Sequence, residues 1–131
     1  MFTIRNVGGF ALFLLGTTFL WLTPSFATRG LSTKGLWWST TNALALLTVA
    51  GFSVATWGLF SRADWWEWVA IGSAILGFIV LIPYWVAAHG SGETTPWFNV
   101  VIHAIGNLGV LLLLRVPSWE RWVDGHVMSG R

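Results

Sequence analysis

The chain has 131 residues, of which 55% are apolar and only 9% are charged. Because soluble domains average about 25% charged residues, this chain lacks the polar surface of a soluble protein. It contains no cysteine, which excludes disulfides, thiolate metal sites and thiol catalysis. Its seven Lys and Arg residues form no basic cluster, so we expect no nucleic-acid partner.

Four apolar runs divide the chain, and each approaches the ~20 residues that a helix needs to cross a ~30 Å hydrocarbon core. We predict an all-α integral membrane four-helix bundle that forms a single transmembrane domain over residues 1–131. The predicted spans are residues 5–23, 36–60, 65–88 and 96–114, and the tail 115–131 is predicted to hold a short interfacial helix.

The first run has two interpretations. Arg5 precedes it, and Ser25-Phe26-Ala27 after it has the small-x-small pattern of a signal-peptide cleavage site. We expect a retained transmembrane helix or signal anchor, and a secretory signal peptide is the alternative.

Capping patterns mark the third and fourth spans. Asp64 with Glu67 forms a D-x-x-E capping box that predicts the start of the third helix. Thr95 and Pro96 form an N-cap and first-turn pair for the fourth helix. Pro83 is expected to kink the far end of the third helix.

Eleven tryptophans lie mostly at the ends of the apolar runs. Indole favours the membrane–water interface, because the ring is buried there while its N–H reaches water. The predicted inner belt is Trp57, Trp65, Trp66, Trp68, Trp119 and Trp122. The predicted outer belt is Trp21, Trp37, Trp38, Trp85 and Trp97, with Tyr84 beside it.

Basic residues indicate the orientation. With four spans, one side holds both termini and Arg5, Arg62, Arg115, Arg121 and Arg131, while the other side holds Arg29 and Lys34. The positive-inside rule therefore predicts a multi-pass protein of the cell membrane with both termini in the cytoplasm.

Small residues form faces on the first three helices. In lipid, helices associate through close backbone approach, which small residues permit. The second span offers Thr41, Ala45, Thr48, Gly51, Ala55 and Gly58; the third offers Ala70, Ser73, Ala74 and Gly77; the first offers Gly9 and Gly16. We predict a closely packed bundle.

The fourth span carries Asn99, His103 and Asn107, which share one helical face because they are four residues apart. Polar groups inside a membrane are candidate functional residues. His103 could contact a haem, quinone or pigment, with support from Asn99, Asn107, Asn42 and His89. Alternatively, these side chains hydrogen-bond the fourth helix to Thr41, Asn42 or Thr48 of the second.

A metal site from His89, Glu93 and His103, or a haem between His89 and His103, is possible by ligand type alone. However, His89 and Glu93 lie in a Gly/Ser loop, so no spacing rule supports either site. We therefore predict no metal, and the sequence requires no cofactor.

Three function classes remain open. We expect a non-catalytic accessory, assembly or stabilising subunit of a larger membrane complex, whose partners are the lipid bilayer and other membrane subunits or copies of itself. The alternative is a small-molecule site for a quinone, haem or lipid-like substrate around His103. The third class is an oligomeric channel or small transporter, which the lack of a charged residue in the span cores disfavours.

Overall fold

The structure is a computed structural model that describes residues 3–22, 34–90 and 97–128, and these residues are helical apart from short turns. Helix α1 is Ile4–Thr18 and ends in a 3₁₀ turn, Phe19–Trp21. Helices α2, α3 and α4 are Leu36–Phe60, Trp66–Gly90 and Trp97–Arg115. Helix α5 is Pro117–Val123, and a π-helical turn, Asp124–Met128, continues it.

Four helical segments are long and apolar enough to cross a membrane. They are Ile4–Trp21, Leu36–Phe60, Trp66–Gly90 and Phe98–Arg115. The prediction of an all-helical chain with four such segments is therefore confirmed. The proposed cleavage site at residues 25–27 lies outside the described residues.

Local signals set the observed helix ends. The Thr3 hydroxyl accepts a hydrogen bond from the Asn6 N–H at 3.1 Å and caps α1. Helix α3 begins at Trp66, one residue later than a cap at Asp64 predicts, and it continues through Pro83. Extended backbone at Val116 followed by a proline in the first turn separates α5 from α4. The predicted cap at residues 95–96 lies outside the described residues.

Each of the first four helices packs against its neighbour in the chain, and the α2–α3 interface is the most extensive. Helix α4 packs mainly on α3, and α5 returns along the end of α4. The π-helical turn that follows α5 contacts α1, so the described ends of the chain meet at one end of the bundle. In contrast, α1 and α4 barely touch, which leaves a groove between them.

The small-residue faces lie in the helix interfaces, as predicted. Gly16 of α1 packs on Phe52 of α2, and Gly51 of α2 packs on Ser73 of α3. Ala70, Ala74 and Ala55 are completely buried. The Thr56 hydroxyl donates to the Phe52 carbonyl of its own helix and reaches the Gly9 carbonyl at 3.4 Å. These contacts hold α1, α2 and α3 at close range.

Two tryptophans of the predicted belts are buried in the bundle. Trp38 and Trp66 are 3% and 4% exposed, whereas Trp21, Trp57 and Trp68 are at least 65% exposed. The Trp66 side chain packs against Gly58, and the Trp38 ring meets Tyr84 at 6.2 Å. These two rings are therefore buried against protein, because a glycine or another aromatic ring gives each a place in the core.

Several of the predicted inner tryptophans lie together at the end of the bundle where the described ends of the chain meet. The rings of Trp57 and Trp65 lie 5.8 Å apart, and the Arg115 guanidinium stacks over Trp68 at 5.6 Å. The Glu67 carboxyl lies near Asp124 and Glu120. Glu67 therefore belongs to a group of acidic residues at this end of the bundle, which the capping pattern did not predict.

Candidate functional sites

A polar face lies inside the bundle on α4. His103 is 4% exposed and Asn107 is completely buried, while Asn99 is half-buried one turn before His103. Helical rise places Asn107 about 15 Å from the start of α4 at Trp97, which is half the thickness of a ~30 Å hydrocarbon core. These side chains thus form a polar layer in a surrounding of apolar residues.

The His103 ring has a defined proton position. Its Nδ1 lies 2.6 Å from the backbone carbonyl oxygen of Asn99. Since a carbonyl only accepts, Nδ1 carries the hydrogen and donates it. In the neutral ring, Nε2 is then an acceptor, and this atom is buried without a hydrogen-bond partner among the described residues. The Phe19 ring meets the imidazole edge-on at 4.7 Å.

Asn99 connects α4 to α3. Its Nδ2 donates to the Tyr84 hydroxyl at 2.9 Å. The predicted hydrogen bonds to α2 are wrong for this residue, because α4 packs on α3. The hydroxyls of Thr41 and Thr48 instead donate to carbonyls of their own helix, at Trp37 and Leu44.

Asn107 has the least satisfied side chain of the polar face. Both Nδ2 and Oδ1 are buried without a hydrogen-bond partner among the described residues. Its amide packs directly against Gly77 of α3, where a Cβ would lie 2.6 Å from Nδ2. An unpartnered amide in a hydrocarbon surrounding costs several kcal/mol, roughly 2–7 by transfer measurements. Asn107 therefore opposes folding unless another group binds it.

The other predicted site residues that the structure describes are exposed, unlike the buried His103 and Asn107. Asn42 is exposed on α2, and His89 is exposed near the end of α3. Glu93 lies outside the described residues. Within the described ranges, no three His, Asp or Glu side chains form a group that could hold a metal ion.

The polar face has a particular chemical preference. Neutral His103 offers an acceptor at Nε2, and the Asn107 amide offers both a donor and an acceptor. By donor and acceptor type, a hydroxyl group could donate to the imidazole or accept from the amide. A carbonyl matches His103 only if the imidazole is protonated.

Sequence reasoning missed Tyr84 and Phe19 as neighbours of this face. The sequence pattern places Tyr84 beside the outer aromatic belt, and the structure shows that it is completely buried. The available signal was its helical spacing from the small residue Gly77, since seven residues are two turns. No sequence signal places Phe19 beside His103, because the contact joins α4 to the end of the first apolar run.

A second candidate surface is the outward face of α2. Its exposed residues include Ser39, Asn42, Ala43 and Ala50, which alternate with Leu46, Leu47, Val54 and Trp57. The outward face of α3 instead carries the large side chains Trp68, Ile75, Ile79, Ile82 and Val86, interrupted by Gly72. Small and polar residues in membrane helices are typical of helix–helix interfaces. The two outward faces therefore differ in chemistry.

Comparisons of the chain with protein-family models, with curated proteins and with solved structures found no match. The chemistry of the described residues is therefore the basis for a function.

Proposed function

We propose that this protein is a non-catalytic accessory, assembly or stabilising subunit of a larger membrane complex. The supporting observation is the outward face of α2, where small and polar residues are exposed within an apolar span. A helix face that contacts only lipid gains nothing from Ser39, whereas a partner helix can approach closely at Ala43 and Ala50. We infer that a helix of another subunit packs there.

The spacing of this face suits a long helical partner. Ala43, Leu47, Ala50, Val54 and Trp57 follow one another at alternating intervals of four and three residues. That interval repeats every seven residues, which keeps one stripe facing a neighbouring helix at a shallow crossing angle. Contact along this stripe would extend over about four turns of α2.

Ala43→Leu with Ala50→Leu is expected to weaken association with the partner by at least about tenfold, or ~1.4 kcal/mol. The added side chains hold the two backbones apart, while α2 itself remains a helix because leucine is a good helix former. The measurement is gentle detergent purification from native membranes, followed by sizing and identification of co-purifying subunits in stoichiometric amount.

Gly72→Leu is the matched control for this association experiment, because it enlarges a small exposed residue on α3 without meeting any neighbour. It should leave the complex intact. A wild-type protein that purifies alone and monodisperse would contradict the proposal, as would equal loss of the complex in both variants.

We also propose that both termini lie in the cytoplasm, which the positions of Arg5, Arg62, Arg115 and Arg121 support. Because the chain has no cysteine, single cysteines report position without background. A membrane-impermeant thiol reagent added outside cells is expected to label Ser91→Cys and not Ser118→Cys. Permeabilised cells should show both labelled. Labelling of Ser118→Cys alone in intact cells would reverse the topology.

A second candidate function is a small-molecule site on the polar face of α4. The observation that favours it is the set of buried, unpartnered atoms on His103 and Asn107. A compound with an apolar body and a hydroxyl group, such as a quinol or a lipid-like alcohol, matches these atoms. Haem ligation would use the same Nε2, and visible-light absorbance of the purified protein distinguishes the two.

A further inference from the structure

The groove between α1 and α4 is a cavity of about 570 Å³. Its walls are almost entirely apolar and include Ile4, Leu12 and Leu15 of α1 with Ile105 and Leu113 of α4. Trp122 and Val123 of α5 line it at the end where the described termini meet. The volume is within the range of about 300–1,000 Å³ that small-molecule sites usually have.

We propose that this groove binds a glycerophospholipid, with one acyl chain along its length and the phosphate at Arg5. The length of the groove supports an acyl chain. On α1 the groove extends from Ile4 to Leu15, and the helix axis rises about 16 Å between these two residues. Half of a ~30 Å hydrocarbon core is about 15 Å, so the groove has the depth of a single leaflet.

The deep end of the groove supports the same occupant. Leu15 packs directly on Gly106, and a Cβ there would lie 2.5 Å from the Leu15 Cδ1. This contact brings α1 and α4 together and ends the groove near the middle of the bundle. A partner helix that crosses the whole membrane would need the groove to continue, whereas an acyl chain ends at mid-membrane.

Arg5 is next to the groove residue Ile4 at the open end of the groove, although it is not one of the residues that line it. Arg5 is three and seven residues before Gly8 and Leu12, so it lies on the same stripe of α1 as these two groove residues. The Arg5 Nη1 is buried without a hydrogen-bond partner among the described residues. A guanidinium binds phosphate oxygens through two parallel N–H donors. Trp122 lies at the same end, where indole favours the headgroup level.

The acidic residues at this end also bear on a phosphate. Glu67, Asp124 and Glu120 lie near one another. Carboxylates repel a phosphate, so the Arg5 guanidinium has to offset that repulsion.

The glycines of the groove permit a direct test. A Cβ added at Gly8 or Gly109 meets no atom within 4 Å, so leucine at these positions fills the groove without displacing the protein. Gly72 has the same open surroundings but lies on the outward side of α3, away from the groove. It is the matched control.

The full-length protein is purified in mild detergent and titrated with palmitoyl-oleoyl phosphatidylglycerol, and bound lipid is counted by native mass spectrometry. Wild type is expected to bind one lipid more tightly than the rest. Gly8→Leu with Gly109→Leu is expected to weaken that site at least tenfold, and Gly72→Leu to leave it unchanged. Arg5→Gln is expected to weaken it severalfold, with partial recovery in Arg5→Lys.

Inorganic phosphate alone separates a lipid site from a simple anion site. It is expected not to displace the lipid at millimolar concentration, because the acyl chain provides most of the contact. Displacement by phosphate, or equal loss in the Gly72→Leu control, would overturn the proposal. So would an unchanged affinity in the groove-filling variant that retains the helical circular dichroism of wild type.

Discussion

Gly77→Leu is expected to destabilise the protein by about 3 kcal/mol, the upper part of the usual range for overpacking a core. A Cβ at this position would lie 2.6 Å from Nδ2 and 2.7 Å from Oδ1 of Asn107. Asn107 is completely buried, so moving its amide out of the way also displaces the residues packed around it. Unfolding of the purified protein by a denaturing detergent, followed by circular dichroism, measures the loss.

Gly72→Leu is the control for the Gly77 variant, because it makes the same chemical change five residues earlier on the same helix. A Cβ at Gly72 meets no atom within 4 Å, so the loss of packing should change the free energy of unfolding by no more than about 0.5 kcal/mol. Leucine also adds a small stabilisation, because its helix propensity is higher than that of glycine. Similar losses in both variants would show that Gly77 has no special contact.

A double-mutant comparison assigns the loss to Asn107. Gly77→Ala alone is expected to destabilise the protein, whereas Gly77→Ala in an Asn107→Ala background is expected to cost less, because the clashing amide has been removed. The difference is the coupling energy of the pair, typically 0.5–3 kcal/mol for residues in contact. A coupling energy of zero would mean that Gly77 and Asn107 are not in contact.

The helices and their buried faces could be predicted from the sequence for a physical reason. A span needs a fixed length of apolar residues, and helical periodicity shows which residues share a face. The buried Gly77, Ala70 and Ala74 follow directly from these two rules. Neither rule depends on knowing which helices are neighbours.

Neighbouring contacts could not be predicted in the same way. Periodicity places Asn99 on the polar face of α4 but does not say that Tyr84 of α3 lies opposite, and the expected partners on α2 were wrong. Trp66 is of the residue type expected at the membrane interface, yet the space above Gly58 lets its ring enter the core. Both outcomes depend on which helices are neighbours and on how they face each other. The local pattern of a single sequence does not give this information.

Asn107→Leu is expected to stabilise protein that has been stripped of small molecules, by about 1–3 kcal/mol. The two side chains are similar in size, and the substitution removes a donor and an acceptor that are buried without partners among the described residues. The same unfolding experiment in denaturing detergent measures it. A variant less stable than wild type would show that the amide is satisfied inside the protein and serves to hold helices together.

The same variant has the opposite expected effect on ligand binding. If a hydroxyl compound occupies the polar face, gently purified wild type is stabilised by that compound, by RT ln(1 + [L]/Kd). Asn107→Leu and His103→Ala should lose this increment, while His89→Ala, at an exposed histidine, should keep it. The sign of the stability change in Asn107→Leu without bound ligand therefore separates the two roles. A ligand-binding residue gives a variant more stable than wild type, and a residue that holds helices together by hydrogen bonds gives a less stable one.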